Sequence, residues 1–488
     1  MFKKFKKWLV FGVTATMLAG ALSGCGISGK KSSDDVIVWY MPKAIDNMSD
    51  QDLVMAEANK IFEKELGVTV DLRLIDYGNY GEKMNVIITS GEEFDICQSV
   101  SYDTMLRQAK AGAFVPLDDL LKQYGQDILS KWTDLEYTTA TVDGKIQVVQ
   151  GQGTYSTAES IVFKKDLVEK YGFDYKSVKT LEDLEPYLKT IKDNEPGMIP
   201  MMHDVWGEIS QKYYDESIPG LIFDDEAGRY IKLYEATDWL NERRIKNDFY
   251  KKGYIAKDAV TQKDTQTEAK SGRYAVMNNT GYYTEDGSKS SSNLGFPCVE
   301  AYRGNTVIAA KGGASQAISA TSKKPEKAMQ VLNLIWKDPE LSNLLGYGVE
   351  GVNYVVDEQR SAEIGSRSVI PKSGNEMTWA IWHNYVGPLW DQWDSSWNRI
   401  ESLQYMQEVN RTAKRSPAMG FILDTEPIKT QFAKVTAVKD EAIPVFNAGC
   451  MDDFDAYLED FKRKMDDAGL NDILEEANKQ FEAWKEQK

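Results

Sequence analysis

Short β-branched runs alternating with amphipathic helices are what most constrains the fold of this 488-residue chain. Val36-Ile37-Val38-Trp39-Tyr40-Met41 stops at Pro42 and reads as a buried strand. Val54, Ala58, Ile61, Phe62 and Leu66 recur at helical spacing, and Gly67 stands where a left-handed C-cap belongs. A strand over 68–75, a helix over 80–89, a strand over 94–100 and a helix over 104–111 continue the alternation. That pitch predicts βαβ units on a parallel sheet, with ligand-facing loops beyond the carboxyl ends of the strands, at 41–49, 76–80 and 101–103.

A turn and strand over 143–150 lead into Gly151-Gln152-Gly153, which reads as a crossing into a second lobe. There the pattern predicts a strand at 160–163, a helix at 165–171, and a helix at 180–192 capped by Thr180 with Asp183 three residues on. Tyr274-Ala275-Val276-Met277-Asn278-Asn279 is a further strand, and near its end the chain is expected to return to the first lobe. A helix over 324–337, with Pro325 in its first turn, buries Ala328, Val331, Leu332, Ile335 and Trp336. Beyond 346 the chain turns long-helical, with one apolar stripe through Phe454, Tyr457, Leu458, Phe461 and Met465 and another through Ile473, Leu474, Ala477, Phe481 and Trp484. The expected layout is an N-terminal lobe of 36–147 plus 280–345 and a C-terminal lobe of 148–279 plus 346–488.

The first residues address the chain for export. Lys3, Lys4, Lys6 and Lys7 precede an apolar run over 8–22 that is too short to span a bilayer, so 1–24 reads as a signal peptide. It ends in Leu22-Ser23-Gly24-Cys25, similar to a bacterial lipobox, which makes Cys25 the expected lipidation site and 25–35 a flexible tether. Without residues 1–24 the chain keeps 54 basic against 75 acidic residues, a formal charge of −21 that repels nucleic acid. Cys97, Cys298 and Cys450 form no disulfide framework, and His203 and His383 with them form no zinc-ligand spacing, so neither a metal nor a cofactor is expected.

Gly346-Tyr347-Gly348-Val349-Glu350-Gly351 matches a dinucleotide-binding pattern by letter but follows a helix, and so reads as a C-cap and turn. No nucleophile elbow, P-loop or H-E-x-x-H occurs, and 75 acidic residues single out no glycosidase pair. Aromatic and amide residues gather instead at loops and strand ends: Tyr40, Tyr77, Tyr80, Tyr102, Tyr155, Trp206, Tyr282 and Tyr283, beside Gln150, Gln152, Asn278 and Asn279. Ser101 and His203 fall in the same loops. Flat rings for C–H faces plus amides that donate and accept are what a sugar site needs. In the richest aromatic stretch, Trp390, Trp393 and Trp397 fall at i, i+3 and i+7 and read as the buried face of a helix. Trp379 and Trp382, with His383 and Asn384, are the site candidates.

Several of these stretches, taken in order, resemble the extracellular solute-binding proteins of carbohydrate ABC importers. They are the lipobox, Asp143-Gly144-Lys145-Ile146, Gly272-Arg273-Tyr274-Ala275-Val276-Met277 and Lys324-Pro325-Glu326-Lys327-Ala328. Gly348-Val349-Glu350-Gly351-Val352-Asn353-Tyr354, Ser416-Pro417-Ala418-Met419-Gly420-Phe421 and the segment from Ala468-Gly469-Leu470 to Trp484 resemble the Gram-positive lipoprotein group with a C-terminal domain of unknown function. The resemblance implies an α/β, two-lobed periplasmic-binding fold of type II, each lobe a mainly parallel sheet flanked by helices, with a helical C-terminal extension. It implies a non-enzymatic, monomeric receptor on the outer face of the cytoplasmic membrane that passes an oligosaccharide to permease subunits. A receptor for a polyol or peptide, a lipid-anchored glycosidase and a surface adhesin are the alternatives the residues leave open.

Overall fold

The computed structural model describes residues 35–99, 101–156, 158–205, 218–262, 264–278, 283–308 and 313–486. The expected signal peptide, the expected lipidation site Cys25 and most of the expected tether lie outside the described residues, as do Trp206, Asn279 and Tyr282. In chain order, β1 (Val36–Pro42), β2 (Thr69–Ile75), β3 (Ile96–Ser99) and β4 (Val149–Gln150) precede the first crossing. β5 (Ala158–Lys164), β6 (Ile199–Met201), β7 (Tyr274–Asn278) and β8 (Cys298–Asn305) follow it, and β9 (Ser315–Ile318) comes after the return.

The first sheet has the order β2-β1-β3-β9-β4 and is flanked by α1 (Gln51–Leu66), α2 (Tyr77–Ser90) and α3 (Tyr102–Lys110). Gly67 ends α1 in the left-handed region at φ 69°, as its position after Leu66 predicts. β2-β1-β3 is parallel, whereas β9 runs antiparallel to both β3 and β4. The second sheet has the order β8-β5-β7-β6, and only β7 and β6 are parallel in it. Parallel pairing is thus confined to strands linked by a helical crossover, while strands that enter from the other lobe arrive reversed.

Two expected boundaries move. β8 pairs with β5 from Cys298 to Asn305, so 298–305 belongs to the second sheet and the return falls after it, not at 280. Leu341, Leu345, Trp379, Ile381 and Val386 lie in the first core with Trp39, Ile96 and Trp336, so the chain beyond 346 does not go directly to the second lobe. Burying apolar side chains of this size stabilises by about 1.5–3 kcal/mol each, which is what draws the segment back. The helix expected from Thr180 starts at Glu185. Pro186 sits in its first turn, and Asp183 accepts from the backbone of Lys179 and Thr180 at 2.8 Å each, closing a turn ahead of the helix.

α4 (Asp134–Ala140) lies beside the first crossing. α5 (Pro325–Lys337) buries all five residues expected of it, and α6 (Pro339–Tyr347) follows. Trp390, Trp393 and Trp397 do not form a helical face. They flank a short strand, Asp394–Ser395, whose buried Asp394 accepts from Ser368 Oγ (2.6 Å), Arg399 (2.8 Å) and the backbone of Ile400 (2.8 Å). Helix begins only at α7 (Ile400–Thr412). α8 (Lys429–Ala448), α9 (Phe454–Ala468) and α10 (Leu470–Lys485) then pack on a hairpin over 221–232, with Phe454, Leu458, Phe461 and Met465 buried as the stripe predicts.

Candidate functional site

The loops beyond the carboxyl ends of β1 and β2 meet a segment three hundred residues further on. Lys43 and Asp76 follow the two strand ends and form an ion pair of 2.7 Å, which holds the Asp76 carboxyl below its ordinary range. Beside them stand Tyr77 and Trp382, 59% and 39% exposed, with Tyr385 half-buried; together with Ala44, Ile45 and Asp46 they line a pocket of about 320 Å³. Burial, and then Tyr77, push the Tyr385 hydroxyl up and keep it a neutral donor and acceptor. A large exposed indole over paired charges and hydroxyls is the combination that holds a ring of alternating C–H faces and hydroxyls.

Rings continue from this rim toward the second sheet. Trp382 meets Trp397 at 6.1 Å, and α7 starts three residues later. Tyr405 on α7 meets Tyr283 at 6.4 Å, which meets Tyr302 on β8 at 5.0 Å. Tyr302 is half exposed, while burial raises the Tyr405 hydroxyl to about 12. Two residues before Tyr302, the buried Glu300 accepts from Ser160 Oγ at 2.6 Å, and burial raises its carboxyl toward the protonated form.

Three chain segments link the sheets. Asn410 on α7 donates to Gly153 O (2.7 Å) and accepts from the backbone of Tyr155 (2.9 Å) and Ser156 (3.2 Å). Ser156 Oγ donates to Thr306 O at 2.6 Å, and Ile308 bridges to Arg415, with Ser416 N donating to Ile308 O at 2.8 Å. Gly151 is required at the first crossing, because a Cβ there would lie 2.1 Å from the carbonyl oxygen of Asn384. The segment 416–421 singled out in the sequence therefore starts at the hinge with Ser416 and runs into the core of the C-terminal helices with Ala418 and Phe421. In the other, Gly348 leaves room for Asn353, whose side chain accepts from Val349 N and donates to Asp50, tying the turn to the start of α1.

The structure brings Tyr77 and Trp382 together and places Tyr283 with two rings that sequence reasoning missed, Tyr302 and Tyr405. Lys43 and Asp46 lie in a loop expected to face ligand, but carry no pattern of their own. Tyr405 lies on a helix and not in a loop at a strand end, which hid it. Others are held in structural roles. Trp379 is 2% exposed and its Nε1 donates to Leu345 O at 2.9 Å, so its ring packs inward. His383 is buried against Tyr347 and Asn343, and burial lowers it to about 3. Asn384 is half-buried with its carbonyl against Gly151. Tyr40 donates to Glu92 (2.9 Å) and accepts from Arg73 (2.8 Å), while Tyr80 donates to Gln98 O (2.7 Å) in the core. Ser101 caps α3 by accepting from Thr104 N, and Tyr102 is buried.

Gln150 is buried and donates to Ala314 O, and Gln152 donates to Lys131 O, both within the hinge. Tyr155 packs there with Leu135, Ile308 and Ala413. Asn278 ends β7, and half-buried His203 is lowered by burial. One further amide stands out: Gln98 on β3 is 2% exposed, and neither side-chain atom has a partner among the described residues.

Residues 46–336 match the family of bacterial extracellular solute-binding proteins, and 417–486 match a domain of unknown function, DUF3502. A carbohydrate ABC transporter substrate-binding protein of Streptococcus pneumoniae serotype 4 is 28% identical, over 99% of each chain. The crystal structure of the N-glycan transport solute binding protein NgtS from Streptococcus pneumoniae matches with a TM-score of 0.76 at 26% identity, over 93% of this chain and 100% of that one. For NgtS in complex with Man5GlcNAc the TM-score is 0.62, over 93% and 99%. With a family match across more than half its length and two sheets joined by three crossing segments, the chain belongs to the bacterial extracellular solute-binding proteins.

Proposed function

We propose that this protein is the receptor of a carbohydrate ABC importer, capturing an oligosaccharide between its two lobes and handing it to permease subunits in the membrane. The observation that carries the reading is the exposed aromatic rim of Trp382 and Tyr77 around the Lys43–Asp76 pair, at the strand ends where ligands bind in such sheets. Support comes from the S. pneumoniae carbohydrate transporter protein and from NgtS, solved with Man1GlcNAc and Man5GlcNAc. Tyr283, Tyr302 and Tyr405 supply the opposing wall, and closure about the Gly151–Tyr155 and Ile308–Ser416 segments buries the sugar between them.

The chain acts by binding, without turnover, as a monomer. Cys25 carries a diacylglyceryl anchor on the outer face of the cytoplasmic membrane, and two acyl chains suffice for stable attachment. One lobe comprises the first sheet with 325–398, the other the second sheet with the C-terminal helices. Isothermal calorimetry against a panel of neutral glycans tests the reading: a Kd of about 1 μM or tighter for one oligosaccharide is expected. Silence across the panel, or release of new reducing ends from any member, overturns it.

A further inference from the structure

Behind the hinge lies a second pocket, of about 350 Å³, which shares no residue with the one around Trp382. This size is within the range of about 300–1,000 Å³ typical of small-molecule sites. One wall is the start of α4 with Lys131, on the side of the first sheet, and the other is α7. Gln404, Gln407, Glu408 and Arg411 recur at i, i+3, i+4 and i+7 and turn one face of α7 into the pocket. Tyr405, the ring of the candidate cleft, lies about 110° round the helix from the centre of that face. The second pocket therefore opens on a face of α7 turned away from Tyr405.

The chemistry of the lining selects an uncharged, hydroxyl-rich ligand. Each cation is already engaged: Lys131 with Asp391 at 2.5 Å, Arg411 with Glu408 at 2.5 Å, Arg415 with Asp134 at 2.7 Å. No free positive charge is left among the lining residues to draw an anion. What is offered is the half-buried indole of Trp390 and the exposed amides of Gln404 and Gln407, which bond to no described residue. Gln152 closes the floor, donating to Lys131 O at 3.0 Å and accepting from Trp390 N at 3.4 Å. An aromatic face, free amides and ion pairs that can share further hydrogen bonds repeat the logic of the front pocket on a monosaccharide scale.

We infer that this pocket is a second carbohydrate site, for a single sugar unit, whose occupancy biases the hinge. Its walls belong to elements on either side of the crossing segments, bridged by Asp134 and Arg415, so an occupant fits one lobe arrangement better than another. A ligand with such a difference shifts the lobe equilibrium, and its effect on the front site is reciprocal. The inference is independent of which oligosaccharide the cleft takes, and uses the carbohydrate reading only to choose probes.

The test titrates mannose, glucose, galactose and N-acetylglucosamine into the full mature chain, following tryptophan fluorescence and calorimetry. Binding of at least one at millimolar concentration is expected. It should survive Trp382→Ala and be lost in Trp390→Ala and in Gln404→Ala/Gln407→Ala, whose exposed positions spare the fold. The bound monosaccharide should also change the oligosaccharide affinity about 5-fold or more. Absence of monosaccharide binding, or binding lost in Trp382→Ala but kept in Trp390→Ala, overturns the site. Binding that leaves the oligosaccharide affinity unchanged overturns the hinge bias. Oligosaccharide binding by the Trp390→Ala chain separates failure here from failure of the receptor reading.

Discussion

Two tryptophans three residues apart have opposite fates. Trp379 gives its ring to the core and its Nε1 to the Leu345 carbonyl, whereas Trp382 keeps 39% of its surface exposed beside Tyr77. The same contrast separates whole regions. Tyr347, Tyr354, His383 and Trp393 form a buried knot, with Tyr347 and Trp393 stacked 9° from parallel, while Tyr77, Trp382 and Tyr302 form a rim that meets solvent. Residue type is common to both, so it cannot distinguish them. What differs is whether the polar edge of each ring is claimed inside the fold, as the Leu345 carbonyl claims Trp379, the Trp393 carbonyl Tyr347 and the Asn343 amide His383.

The largest effect expected from breaking this contrast is on stability. Trp379→Ala should destabilise by about 3–5 kcal/mol in denaturant unfolding, with little change in the affinity of the folded fraction. A loss of affinity at unchanged stability would move Trp379 to the rim. Trp382→Ala should do the reverse, weakening oligosaccharide binding by about 2 kcal/mol, roughly 30-fold, at nearly constant melting temperature. Tyr405→Ala probes the opposing wall. A loss of about 0.5–1.5 kcal/mol, roughly 2- to 12-fold in Kd, is expected, and none would confine the site to the first lobe.

A separate effect concerns pH in the buried knot. Burial lowers His383 from its ordinary 6.5 to about 3 in the folded chain, so the unfolded chain binds its proton first as pH falls. The stability of the neutral imidazole is complete above about pH 6.5 and is lost progressively toward pH 3. His383→Leu should therefore flatten part of the slope of unfolding free energy between those limits. Identical slopes in the two chains would show that His383 does not titrate on unfolding.

Local signals in the sequence were legible where one element decided them. Gly67 ends α1, Pro325 opens α5, and Phe454 to Met465 bury on one face, because capping and periodicity act within a few residues. Long-range choices were not. The antiparallel pairing of β8 with β5 depends on strands more than a hundred residues apart, and nothing in 298–305 announces its partner. The Trp390, Trp393 and Trp397 spacing imitated a helix because aromatic position says nothing of Asp394, whose buried carboxylate gathers Ser368, Arg399 and the Ile400 backbone into a non-helical turn. Of the candidate site, the loops after β1 and β2 could be located in advance and Tyr77, Tyr283 and Trp382 named. Its neighbour Tyr385 and the distant Tyr302 and Tyr405 become visible only once the chain has folded back.

The first sheet also sets a timetable for synthesis. β3 finds β9 only when Ile318 has been made, 219 residues after Ser99, and α5 follows that. At about 5–20 residues per second, β1 to β3 wait of the order of 10–40 s with one edge unpaired, while every strand of the second sheet is produced. The sheet begun first is therefore the one completed last, and the interval between is when its open edge is most exposed to mispairing.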